Sequence, residues 1–205
     1  MIITISGAPG AGDTTTADML SKKLGYEVIK VGEIYKKLAK EKNLDPDQLW
    51  EKHEKTPEKL KEFHRKLDEK QKEKVEKKKN VIVNGKLSAH HLPNAKLKIL
   101  LTANLEERAK RIAMRKKIGR EKYAKKVDKG EKERETKELT RKEIEKQIKK
   151  IKKRQEKEKK HWKDIYGFNY LEDREKYDLI VDTTNKKPSE AVEKIKKEIE
   201  KIKDE

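Results

Sequence analysis

The chain has 205 residues, a formal net charge of +18, and 47% charged against only 32% hydrophobic residues. That composition suits one α/β domain with a lean core of short strands and an insert; a membrane span is excluded because no run of roughly 18 apolar residues occurs. Cysteine is absent, which excludes disulfides and thiolate metal sites.

Residues 2–6 read as a buried strand, and residues 7–14 follow it as a glycine-rich turn. A helix is predicted over 14–24, a strand over 26–30 and helices over 32–42 and 57–78. Strands are predicted over 80–84 and 97–102, a helix over 105–115 and a longer one over 132–162. A strand over 178–183 and a helix over 188–203 close the chain. Strands alternating with helices imply a five-stranded parallel sheet sandwiched by helices. Right-handed crossovers then place ligand chemistry at the carboxyl ends of the strands. Residues 115–160 are nearly all Lys, Arg and Glu, with breaks at Gly119 and Gly130 and an apolar spacing at Ile144, Ile148 and Ile151. This fits a solvated helical hairpin laced with i,i+4 pairs, and a contact with nucleic acid stays open as the alternative. The lysine-rich charge itself reads either as affinity for polyanions or as a Lys/Glu ion-pair surface of the hyperthermophile kind. No charged-then-apolar leader is recognised, so a cytoplasmic location is expected.

The turn Gly7-Ala8-Pro9-Gly10-Ala11-Gly12-Asp13-Thr14 has the spacing of the phosphate-binding P-loop, G-x-x-x-x-G-K-[ST], with Asp13 where lysine belongs. Such a loop binds phosphate with inward-facing backbone N–H groups and the positive end of the following helix. The candidate ATP-binding residues are Gly7, Ala8, Pro9, Gly10, Ala11, Gly12, Asp13, Thr14 and Thr15, and the Thr14 hydroxyl is the candidate ligand for Mg²⁺. A cation ~4 Å from a phosphate charge gains roughly 4 kcal/mol at an effective dielectric near 20, and an aspartate there repels by a similar amount. Asp13 therefore demands another cation, a rotation away from the phosphates, or a role as metal ligand or helix cap.

Beyond the loop, a set of motifs recurs in order. The opening MIITISGAPGAG, KKLGYEVIKVGEIYKKLAKEKN, LDEKQ, NVIVNGKLSAHH, ANLEERAKRIAMR, KKHWKDIYGFN and YDLIVDTT cover almost the whole chain except a basic stretch near 119–150. Together they resemble the archaeal type of cytidylate kinase within the nucleoside monophosphate kinases. The resemblance implies a single kinase domain over 1–205, with monophosphate-binding helices at about 32–79 and a lid with basic insert at about 115–162. It implies phosphoryl transfer from ATP to CMP or dCMP with Mg²⁺ as cofactor, by a monomer. Arg108, Arg111 and Arg154 would close over the transferring group as catalytic residues, and Lys36, Asp68 and Lys86 would hold CMP.

The departures from the family's pattern fall on its cationic equipment. Lysine becomes Asp13, an arginine becomes Lys36, Glu-Gly-Arg becomes Asn84-Gly85-Lys86, one of two lid arginines becomes His161, the serine between them becomes Lys157, and an aspartate becomes His64. Lysine keeps the charge of arginine and loses its bidentate fork. Arg108, Arg111 and Arg115 are kept, and so is Asp68. Plainer roles stay open: helix-surface charge for Arg108 and Arg111, a helix-face acid for Asp68, lysine-biased composition for Lys36 and Lys86. Trp162 and Tyr166, four apart, are expected to pack the lid on the sheet, with stacking on adenine as the alternative. The adjacent His90 and His91 lack a spaced third ligand for a metal. Two other functions compete with CMP phosphorylation: a kinase-derived domain that has lost transfer and binds RNA or a ribonucleoprotein through its basic insert, and a kinase acting on AMP or UMP.

Overall fold

The structure, a computed structural model, describes residues 1–44, 57–119, 122–123, 126 and 139–204. Its elements run β1 (Ile2–Gly7), α1 (Asp13–Leu24), β2 (Glu27–Lys30), α2 (Val31–Glu41), α3 (Pro57–Glu76), β3 (Val81–Asn84), α4 (Ser88–His91), β4 (Leu97–Thr102), α5 (Leu105–Ile118), α6 (Arg141–Tyr166), a 3-10 turn (Arg174–Lys176), β5 (Leu179–Asp182) and α7 (Pro188–Asp204). The strands form one sheet in the order β2-β3-β1-β4-β5. All pairs are parallel, with Ile3 opposite Ile82 of β3 and Leu97 of β4. No helix among the described residues is long and apolar enough to cross a membrane.

Parallel strands buried on both faces read as continuous apolar runs, and these do. Ile3, Ile5, Ile82, Ile99 and Leu101 pack on one face with Ala17 and Leu20 of α1 and Val192 and Ile195 of α7. Val81 and Val83, the alternate residues of β3, pack on the other face with Ile34 and Leu38 of α2 and Phe63 and Leu67 of α3. Ile3, Ile5, Ile82, Val83 and Ile99 are fully buried. Each of the five predicted strands is present to within a residue or two.

Two expectations change. Among the described residues the long helix begins at Arg141, where Thr140 caps it: the Thr140 side chain accepts from the Glu143 amide while the Glu143 side chain reaches back to Thr140, and the expected start at 132 lies outside those residues. It then runs on to Tyr166. The one-turn α4, absent from the sequence reading, follows β3 directly. Residues 120–121, 124–125 and 127–138, which hold Gly130 and the centre of the basic insert, lie outside the described residues.

The order of the strands positions the site. Adjacent β1 and β4 send their following helices to opposite sides, which opens a crevice at their carboxyl ends. The loop after β1 lies there. One further contact closes its floor: Ser6 Oγ donates to the Gly85 carbonyl at 2.8 Å, and the Gly85 amide donates to the Ile5 carbonyl at 3.2 Å. A Cβ on Gly85 would lie 2.5 Å from Ser88 Oγ and 2.6 Å from Val31 Cγ2, so only glycine lets β3, α2 and α4 meet. Gly85→Ala is expected to lower stability by about 1–3 kcal/mol through this overpacking, read as an earlier midpoint in urea unfolding. An unchanged midpoint would mean that Val31 and Ser88 move aside freely.

Candidate active site

The loop between β1 and α1 owes its shape to backbone freedom. Gly10 and Gly12 sit at φ 87° and 96°, a region that side chains disfavour. A Cβ on Gly10 would lie 2.8 Å from the Arg108 carbonyl oxygen. The loop is therefore pressed against the first turns of α5. Two arginines of that helix grip it from different sides.

Arg111 faces the loop's carbonyls. Its Nη1 donates to the carbonyls of Gly10 and Ala11, both at 3.3 Å, and to Thr183 Oγ1 at 2.9 Å; Nη2 donates to the Thr183 carbonyl at 2.6 Å. Its Nε donates to Glu107 Oε1 at 2.9 Å. Thr183 Oγ1 in turn donates to the Ala11 carbonyl at 2.8 Å. This guanidinium ties the outer side of the loop to the end of β5. Beside it a cleft of about 200 Å³ is lined by Gly12, Thr15, Arg111, Arg115, Tyr123 and Lys186, among others. Arg115, four residues beyond Arg111, joins this lining; Tyr123 and Lys186 do so without any sequence signal.

Arg108 lies on the inner side. Its Nε donates to the Pro9 carbonyl at 2.9 Å. The side chain is almost wholly buried, and its Nη2 makes no hydrogen bond. Glu158 and Tyr170 face this guanidinium. Tyr170, itself buried, reaches the Gly7 carbonyl with its hydroxyl at 3.4 Å.

Asp13 begins α1 at the centre of this ring. Its Oδ2 accepts from Asn84 Nδ2 at 3.0 Å, and Thr14 Oγ1 donates to Asn84 Oδ1 at 3.2 Å. Burial pushes the Asp13 carboxyl up from the ordinary carboxylate range; the Asn84 amide, the backbone N–H groups of Asp13 and Thr14, and the nearby Lys86 ammonium oppose that rise. The aspartate therefore rests on part of the loop's own N–H array.

The long helix α6 completes the site. Glu158, 5% exposed, accepts from Lys86 Nζ at 2.5 Å and from Arg154 Nε at 2.7 Å. Burial works against its charge, yet the two cations overcome that and hold it below the usual carboxylate range. The structure thus gathers Lys86, Arg108 and Arg154 around Glu158, a residue the sequence alone does not single out, and Asp13 lies near Lys86. No spacing signal marks it among its glutamate neighbours. Lys36 stands exposed on α2.

Asp68 lies one layer away, on α3. Tyr166 donates its hydroxyl to Asp68 Oδ2 at 2.8 Å. His91 Nε2 stands 3.3 Å from Asp68 Oδ1 without hydrogen-bond geometry. Burial pushes Asp68 up to about 6, with the Tyr166 hydroxyl and Lys72 opposing. Burial pushes His91 down to about 4, helped by Lys72 and His90. Trp162 is buried with Leu87 and Tyr170, and its ring stands 5.1 Å from that of His64. The aromatic pair Trp162 and Tyr166 thus packs α6 on α3 and on the segment around α4, not directly on the sheet.

Comparisons with known proteins point to one family. A family model described as the cytidylate kinase-like family matches residues 2–185. The cytidylate kinase of Archaeoglobus fulgidus is 36% identical over 115 residues, a match that spans 56% of this chain and 62% of that protein's length. The cytidylate kinase of Methanocaldococcus jannaschii is 31% identical over 188 residues, covering 90% of this chain and 89% of that one. Among solved structures, shikimate kinase from Bacteroides thetaiotaomicron superposes with a TM-score of 0.57 at 14% identity, over 98% of each chain; it shares the fold.

The Asp68 environment has a measurable sign. An acid whose folded pKa is raised adds stability below its unfolded pKa, and that stability is lost as pH rises through the folded value. For Asp68 the window runs from about 4 to about 6. Asp68→Asn, which keeps an acceptor for Tyr166, is expected to stabilise the protein at pH 7.5 by up to about 3 kcal/mol, a gain that vanishes toward pH 4. Paired thermal melts at the two pH values check this; an equal effect at both removes the titration argument.

Proposed function

Because the chain belongs to the cytidylate kinase-like family, we propose that it transfers the γ-phosphoryl group of ATP to CMP or dCMP, giving CDP or dCDP and leaving ADP. The observation that carries the reading is the arrangement of donors at the mouth of the loop. Arg108 presents a buried Nη2 with no hydrogen bond. Lys86 and Arg154 converge on one carboxylate, Glu158, so an incoming phosphate meets two cations already gathered at one point. Phosphoryl transfer needs little covalent chemistry from the protein; alignment and neutralisation of spread charge do the work.

The roles follow from position. The N–H groups of residues 10–15 cradle the donor phosphates at the start of α1. Arg111 keeps that cradle in shape through the Gly10 and Ala11 carbonyls. The cleft beside Arg111, Arg115 and Tyr123 is where the donor nucleoside lies. Lys86 and Arg154 exchange Glu158 for phosphate oxygens, and Arg108 adds its Nη2. Asp68, with Lys36, serves the monophosphate on the α2–α3 side. The residues at the loop fit a magnesium ion: the Thr14 hydroxyl and Asn84 carbonyl are adjacent oxygen donors. Bound there with ATP, Mg²⁺ supplies charge neutralisation of the phosphate tail.

The test is conversion of CMP, with AMP and UMP as competing acceptors, in Mg²⁺-ATP. CDP and ADP are expected in equal amounts, with CDP forming faster than UDP does from UMP or the second ADP does from AMP. Arg154 is 60% exposed, so its removal spares the core. Arg154→Ala is expected to lower kcat/KM by about 10- to 100-fold, the worth of a charge-assisted bond. No diphosphate from any acceptor would overturn the reading.

A further inference from the structure

A P-loop lysine carries a positive charge to the phosphates. Here the carboxyl of Asp13 stands in the same place, and each cation near it already holds a partner of the protein's own. Lys86, the cation nearest in charge to Asp13, is bonded to Glu158 at 2.5 Å. Arg111 donates to loop carbonyls and to Thr183. Arg108 is tied by its Nε to Pro9.

What stands beside Asp13 is a run of oxygen atoms. Asn84 is 6% exposed. Its Nδ2 donates both to Asp13 Oδ2 at 3.0 Å and to the Ile5 carbonyl at 3.2 Å, which turns its Oδ1 toward Thr14 Oγ1 at 3.2 Å. The amide orientation is thus set by two acceptors and one donor. A carboxylate, an amide carbonyl and a hydroxyl are the donor chemistry of a hard divalent cation. The space around them is glycine-shaped: a Cβ on Gly7 would lie 3.0 Å from Asp13 Cβ and 3.3 Å from the Leu101 carbonyl oxygen. Asp13 is held at this spot by its neighbours.

We infer that Asp13, Asn84 and Thr14 form an oxygen-donor set for a divalent cation that takes over the charge of the missing lysine, so that the loop accepts a nucleotide only as its metal complex. The inference rests on reading the loop as a nucleotide site and is independent of transfer to CMP. Without the metal, the Asp13 carboxylate faces phosphate oxygens directly and repels them. With it, carboxylate and phosphates share one cation.

The experiment is calorimetric titration of ATP, once with Mn²⁺ and once in EDTA, into the wild type, Asp13→Asn and Asp13→Lys. Electron paramagnetic resonance counts free Mn²⁺ in the same mixtures. The wild type is expected to bind Mn²⁺-ATP at least ~100-fold more tightly than metal-free ATP. Both variants are expected to shrink that ratio at least ~10-fold, chiefly by gaining affinity for metal-free ATP, and Asp13→Asn to hold Mn²⁺ less tightly in the ternary complex. Equal ratios in all three proteins overturn the inference. So does a wild type that binds metal-free ATP as well as the complex, which would mean that the protein's own cations supply the lysine's charge without a metal. A wild type that binds neither form while Asp13→Lys binds both also overturns it, and makes Asp13 a plain block. If none of the three binds ATP, the inference falls together with the nucleotide site. A wild type that passes yet forms no CDP removes only the transfer reading.

Discussion

Glu158, itself nearly without water, holds the half-buried Lys86 and the exposed Arg154 together. A carboxylate that is 5% exposed is costly to charge unless cations surround it. Here both cations belong to elements that the fold must bring together: Lys86 follows β3 and Arg154 lies one turn earlier on α6. The pair of bonds therefore docks the long helix on the carboxyl edge of the sheet. It also stores positive charge beside the loop. Removing Glu158 would leave two cations repelling one another, while a phosphate arriving from solvent could replace it without a charge penalty. Stability of the docked helix and readiness for an anion come from the same three side chains.

A second tie lies farther along α6. Tyr166 bonds Asp68 of α3, and Trp162 fills the space between Leu87, Tyr170 and His64. This aromatic layer buries imidazoles and a carboxyl whose charged forms are disfavoured, as the directions for Asp68 and His91 record. The inner tie is ionic and exchangeable; the outer tie is aromatic and insensitive to anions. The two ties thus differ in kind along one helix.

The surface charge plays a smaller part. Pairs such as Lys66 with Glu62 and Lys196 with Glu200 are exposed i,i+4 contacts, each worth a few tenths of a kcal/mol. Within the site the same residue types act differently because solvent no longer screens them. Lys86 and Glu158 count for more than the many lysine–glutamate pairs outside for that reason alone.

The frame is legible in the order of residues alone. Apolar runs of four to six residues set the five strands, and the glycine spacing after the first of them marked the phosphate loop, because both signals lie within a few consecutive residues. The start of α6 was equally local: Thr140 and Glu143 spell a capping box, and the basic run around them hid it. What Asp13 meets could not be read that way. Its partner Asn84 is 71 positions away, Lys86 and Glu158 are 72 apart, and Arg111 finds Thr183 across another 72. Such pairings depend on strand order and helix docking, which a run of letters does not carry. Composition announced an excess of charge; which charges lost their water and faced each other followed from how the strands and helices came together.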